Sequence, residues 1–147
     1  MSRQHTYLIE PGLWAADGIY YDDADQPHVQ RGELLVEHAP DLWTIDSQMK
    51  ISGQDRRDFN TRYEVKPLPE GVSFTDWKML SGGPEPVFGL FVFVEECVLM
   101  PWQSRSNRFW GQEVLFSKSP DEYLSRGFSF IQDKKVYSWA VTLKRQS

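Results

Sequence analysis

The stretch PVFGLFVFVEECVLMPW, Pro86 to Trp102, decides the fold class of this chain. It is the longest apolar run, interrupted only by Gly89 and the Glu95-Glu96 pair. Its Val and Phe content favours a pleated, buried strand over a helix. A strand that is apolar on both faces needs neighbours, and nearly every other segment also has the character of a strand.

The neighbours show period-two alternation. In Leu42 to Ile51, Trp43, Ile45, Met49 and Ile51 share one face, while Thr44, Asp46, Gln48 and Lys50 share the other. Phe59, Tyr63 and Val65 lie opposite Asp58, Asn60, Arg62 and Glu64. Trp110, Val114 and Phe116 oppose Gly111, Glu113 and Leu115. Tyr137, Trp139, Val141 and Leu143 oppose Val136, Ser138, Ala140 and Thr142. Such alternation marks antiparallel strands with one buried face.

Clusters of Gly, Pro, Asn, Asp and Ser punctuate the chain, at 22–26, 38–41, 52–55, 67–71, 81–86, 104–107, 117–121 and 132–135. These residues turn the backbone for conformational reasons. Segments of roughly eight to twelve residues lie between them, a spacing that suits strands and short hairpins. No segment sustains a helical period. One helical turn is expected at most, over Ser119 to Leu124, with Ser119 as cap and Pro120 first in the turn.

The expected architecture is all-β: an up-and-down antiparallel barrel of about eight to ten strands, in one domain over residues 1–147. Closure removes the exposed edges of so long a sheet, and about eight strands enclose room for one small ligand. Gly18, Gly89 and Gly111 fall inside strands, where closure needs bends. A two-sheet sandwich is the alternative, but the chain offers few of the longer crossings it needs.

Composition narrows the function classes. The net charge is −5, so nucleic acid is not an expected partner. The basic pairs Arg56-Arg57, Lys134-Lys135 and Lys144-Arg145 are short and scattered. A single cysteine, Cys97, allows no internal disulfide, and no apolar run reaches the ~20 residues of a membrane helix. With no apolar leader segment at the N-terminus, a cytoplasmic protein without membrane contact is expected.

The segment Pro11 to Tyr21 resembles the first barrel strand of the calycin superfamily, which comprises lipocalins, fatty-acid-binding proteins and nitrobindin-like barrels. Gly12-Leu13-Trp14 matches the Gly-x-Trp of lipocalins. The resemblance implies that Trp14 packs across the closed end of the barrel, with a late basic residue, Arg126 or Lys144, over its ring. The sequence has no counterpart for the long helix of lipocalins or the helical lid of fatty-acid-binding proteins. The late haem-ligating His of nitrobindin-like barrels is also missing. The three histidines, His5, His28 and His38, all lie in the first third, so haem is not expected.

No residue set carries a strong catalytic or metal signature. His38 is a general-base candidate beside Glu37 and Asp41, or else a turn histidine. Asp22, Asp23 and Asp25 resemble a calcium loop, but counting from Asp23 the required Gly and Glu positions hold His28 and Leu34. Cys97 lacks the positive neighbours that activate a thiol, so it is expected to be inert. Asp46, Arg62, Glu95, Glu96, Arg105, Arg108 and Glu113 are polar candidates for a cavity, with Arg105 and Arg108 nearer the rim. Tyr20, Phe59, Tyr63, Phe91, Phe93, Trp102, Trp110 and Trp139 are candidate wall aromatics.

The expected function is binding of a small, largely apolar ligand without a cofactor or metal. The expected ligand-binding set is Trp14, Tyr20, Phe59, Tyr63, Phe91, Phe93, Trp110, Glu113 and Trp139. Two alternatives stay open. One is a cofactor-free isomerase, cyclase or decarboxylase using Glu113 or Asp46 with Tyr or Arg partners. The other is a cavity-less interaction barrel, which an exposed aromatic strand face would join into a homodimer.

Overall fold

Ten antiparallel strands follow one another and close into a barrel in the computed structural model, which describes residues 5–53, 57–80 and 85–147. They are β1 (Gly12–Tyr21), β2 (Pro27–His38), β3 (Trp43–Ile51), β4 (Arg57–Val65) and β5 (Phe74–Met79). The second half comprises β6 (Val87–Val94), β7 (Cys97–Ser104), β8 (Phe109–Ser119), β9 (Glu122–Ile131) and β10 (Lys134–Arg145). Each strand pairs with its neighbours in sequence, and β1 pairs with both β2 and β10, which closes the sheet on itself. Gln54, Asp55, Arg56 and Ser81 to Pro84 lie outside the described residues. So do parts of two expected turns and half of the Arg56-Arg57 pair.

The founding stretch Pro86 to Trp102 is not one strand. It folds back at Glu95-Glu96 into the hairpin of β6 and β7, with Val94 opposite Cys97 and Glu95 at a positive φ of 51°. A single extended segment of that length would reach roughly 55 Å, far beyond one barrel wall. The two carboxylates mark the tip. The helical turn expected over Ser119 to Leu124 is absent as well. Pro120 and Asp121 make a tight turn, and β9 begins at Glu122. The strand alternation then aims Tyr123 inward, where it is completely buried. No helix occurs among the described residues.

The turns at 22–26, 105–108 and 132–133 gather at one end, and those at 39–42, 66–73, 95–96 and 120–121 at the other. Asp22 serves the first of these as a turn residue, not a calcium ligand: its Oδ1 accepts the backbone N–H groups of Ala24 and Gln26, both at 2.9 Å. Between β4 and β5 the register runs only through Glu64–Lys78 and Val65–Trp77. Towards the first end, those two walls part.

The second end is sealed by residues 5–11, which run across it. His5, Thr6, Tyr7 and Leu8 are all buried. The His5 Nε2–H donates to the Glu95 carbonyl (2.7 Å), and its Nδ1 accepts from the Tyr123 hydroxyl (2.8 Å). The Thr6 hydroxyl donates to the Pro120 carbonyl at 2.5 Å. His38 Nε2–H donates to the Leu8 carbonyl at 2.7 Å, with its ring stacked 3.8 Å from that of Trp43. His38 is therefore a clasp on the plug, and no carboxylate among the described residues orients it.

Trp14 lies fully buried under this plug, in edge contact with Tyr7 (5.6 Å) and Tyr123 (5.5 Å). The cation over its ring is Arg145, 6.0 Å from the centroid and held by Glu10 at 2.9 Å. The register pairs Trp14 with Arg145, whereas Arg126 and Lys144 lie on the outward phase of their strands and are exposed. Phe91, Val65, Val98, Leu115 and Leu143 complete this apolar end. Full burial of each large side chain stabilises by about 1.5–3 kcal/mol before entropic losses.

Candidate functional site: an aromatic cavity with one carboxyl group

Above the sealed end the barrel is hollow. A cavity of about 350 Å³ reaches the other end, and a side chamber of about 40 Å³ continues it inward. The space exists because several inward positions hold small residues. On β9 these are Ser125, Gly127 and Ser129, while Phe128 and Phe130 of the same strand point outward. On β8, Gly111 is inward.

Three tryptophans occupy the room left by glycines. Trp77 pairs across the sheet with Gly89, Trp102 with Gly111, and Trp139 with Gly127. A β-carbon at these glycines would lie 2.4, 2.3 and 2.1 Å, respectively, from the facing indole. Only glycine lets the rings approach the backbone so closely. All three indoles border the cavity.

The carboxyl group of Glu113 is the only acidic group on the described wall. It sits where the cavity meets the side chamber, deep in the barrel yet bordering empty space. Its Oε2 accepts from the Ser125 hydroxyl at 2.5 Å. The Trp139 Nε1–H points to the same pair, 3.0 Å from Ser125 Oγ and 3.4 Å from Glu113 Oε2. Burial pushes the Glu113 carboxyl above the ordinary carboxylate range, and the two hydrogen bonds only partly oppose that shift. Tyr7, Tyr63 and Tyr137 surround it. Burial, followed by the nearby Glu113 charge, pushes the Tyr7 and Tyr63 hydroxyls up, and burial does the same for Tyr137. They stay neutral wherever Glu113 titrates. Gln30 borders both spaces, and its buried Oε1 has no partner among the described residues.

Of the residues expected to bind a ligand, Tyr20, Phe59, Tyr63, Glu113 and Trp139 border the cavity. Trp14, Phe91 and Phe93 do not, because they are packed into the sealed end, Phe93 against His5 at 5.2 Å. Trp110 points outward: it is 38% exposed, stacked on Phe130 at 4.8 Å, and its Nε1–H donates to the Gln132 carbonyl at 2.8 Å. It lies three positions from Glu113, an odd offset, so the two take opposite faces.

Asp46 and Arg62 also leave the site, since they pair with each other on the outer surface at 3.5 Å. Glu95 and Glu96 sit in the β6–β7 turn. Arg105 and Arg108 sit in the β7–β8 turn at the open end. Cys97 begins β7, where burial and the neighbouring Glu96 push its thiol up, away from reactivity. Trp77, Tyr137, Gln30, Ser125 and Tyr7 join the wall without having been expected there. The in-phase spacing of Tyr137 with Trp139 was the one available signal. The others depend on cross-strand register.

Among the described residues, no three His, Cys, Asp or Glu side chains are placed to hold a metal ion, and no helix is long and apolar enough to cross a membrane. No family model and no curated protein sequence matches the chain. Solved structures do. The S-type phycobiliprotein lyase CPES from Guillardia theta aligns with a TM-score of 0.55 at 12% identity, over 99% of this chain and 95% of that one. The redesigned β-barrel mFAP1, solved bound to DFHBI, aligns at 0.48 with 14% identity, over 97% and 100%. A fluorescence-activating β-barrel designed de novo aligns at 0.44 with 18% identity, over 98% and 100%. At such identity the likeness to the lyase is one of fold: this chain is built on the same kind of antiparallel β-barrel.

Proposed function

We propose that residues 1–147 form a single β-barrel domain that binds one small, largely apolar ligand in its interior. The observation that carries this reading is the cavity of about 350 Å³, walled by aromatic and aliphatic side chains and supplied with one buried carboxyl group. Its volume lies in the range of small-molecule sites, and a cavity of about 150 Å³ already takes up benzene. A cavity-less interaction barrel does not fit this interior. The Gly12-Leu13-Trp14 start, with Arg145 over Trp14, supports a calycin-type barrel.

The test is titration with the neutral dye N-phenyl-1-naphthylamine, read by fluorescence enhancement, on the protein and on Ser47→Phe, which fills the cavity wall. One-to-one binding that the substitution weakens at least tenfold is expected. Absence of saturable binding, or binding indifferent to Ser47→Phe, would overturn the proposal.

Glu113 favours a second reading, a cofactor-free proton-transfer enzyme. A carboxyl that burial raises above the ordinary carboxylate range, set among tyrosines, is suited to moving a proton within an enclosed ligand. Its test is turnover of a β,γ-unsaturated ketone, which Glu113→Gln would abolish. A rate no faster than in buffer sinks it.

A further inference from the structure

The polarity of the cavity wall is one-sided. Among the described residues it holds no Lys, Arg or His, and its single ionisable group outside the tyrosines is Glu113. Both donors that reach Glu113 converge on Oε2, and no described group donates to Oε1. A second acceptor, the buried Gln30 Oε1, likewise has no partner among the described residues, on a side chain that borders both spaces. The side chamber itself, about 40 Å³, has room for a few water-sized groups at most. Above it stand three indole rings, whose faces attract cations most strongly among side chains.

These features share one complement. An anionic head group would meet a carboxyl, an unpartnered amide oxygen and negative ring faces, with no cation to receive it. A neutral body without a donor would leave the acceptors unsatisfied, and one with a hydroxyl would donate to them without compensating a carboxylate charge. A body with one positively charged nitrogen satisfies every element at once. Its charge faces Glu113, and its N–H groups reach Oε1 and Gln30. Its apolar part lies on the tryptophans. Ionised Glu113 would then be compensated within the low-dielectric interior.

Resting on the binding function above, we propose that the cavity selects organic monocations: an aromatic or otherwise apolar body bearing a single ammonium or amidinium group. The cation seats at the junction of cavity and side chamber, against Glu113, and carboxylate-headed ligands are rejected.

Calorimetry with three isosteric probes tests this on the full chain: naphthalen-2-ylmethylammonium, naphthalen-2-ylmethanol and 2-naphthoate. The ammonium is expected to bind at least tenfold more tightly than the alcohol, and the naphthoate more weakly than the alcohol. In Glu113→Gln the gap between ammonium and alcohol should shrink to less than threefold. The selectivity is measured first on the unaltered protein, so the test does not depend on the variant folding. Equal binding of ammonium and alcohol, or tightest binding by naphthoate, overturns the selectivity and leaves the binding function standing. Failure of all three to bind overturns both.

Discussion

Gly127→Ala isolates the relation between the glycines and the tryptophan wall. The three nearest atoms to a new β-carbon there all belong to the Trp139 indole: Cζ2 at 2.1 Å, Cε2 at 2.5 Å and Cη2 at 2.7 Å. Carbon atoms rest at about 3.5–4.0 Å, so the ring must retreat by roughly 1.4 Å. The retreat lengthens the 3.0 Å bond from Trp139 Nε1 to Ser125, loosens the support of Glu113, and pushes the indole into the cavity. Overpacking of this kind destabilises by about 1–3 kcal/mol, whereas Ala in place of Gly recovers about 0.4–1 kcal/mol through the unfolded chain. The expected net loss is about 1–2 kcal/mol. Urea unfolding measures it, in the native background and in Trp139→Leu, which removes the obstructing ring. In that second background the loss should vanish, a coupling of about 1–2 kcal/mol. Equal destabilisation in both backgrounds, or a coupling within about 0.3 kcal/mol of zero, would refute the close-approach account.

Three further outcomes are expected. Folding raises the Glu113 carboxyl above its unfolded value, so the native state holds a proton that the unfolded chain releases first; stability should therefore fall as pH rises from the ordinary carboxylate range through the raised native value. Glu113→Gln should flatten that slope in urea titrations across pH, and an unchanged slope would contradict it. Arg145→Ala removes the cation over Trp14 and the 2.9 Å ion pair with Glu10, and should lower stability by about 1 kcal/mol; an unchanged urea midpoint would deny that contact any weight. Tyr123→Phe strips the hydroxyl that donates to His5 Nδ1 and accepts the Thr6 N–H at 3.2 Å. It should cost about 1–3 kcal/mol and speed amide exchange in residues 5–10, as seen by mass spectrometry, while exchange in the β7–β8 walls stays slow.

Much of the candidate site was legible, because its signals are local. Alternation placed Phe59 with Tyr63 and Tyr137 with Trp139, and each pair does share an inward face. Strand β9 shows why alternation is insufficient. Its bulky apolar residues, Phe128 and Phe130, take the outer face, and its inner face carries Ser125, Gly127 and Ser129. A rule that sends large apolar groups inward reverses this strand, because the cavity requires small residues there. Trp110 and Glu113 show the related limit. Both have the chemistry of a binding site, but one strand cannot turn positions three apart to the same side.

The division follows from the range of the forces. Turn chemistry and the two-residue period act within a few residues, so the amino-acid order alone specified an all-β chain, most of its turns and its meander. Only the closed tertiary structure decided which face is interior, that Arg145 and not Lys144 covers Trp14, and that the indoles of Trp77, Trp102 and Trp139 lie over glycines from neighbouring strands. Those are contacts between residues adjacent in space through sheet register, and register is set when ten strands satisfy one another's hydrogen bonds at once.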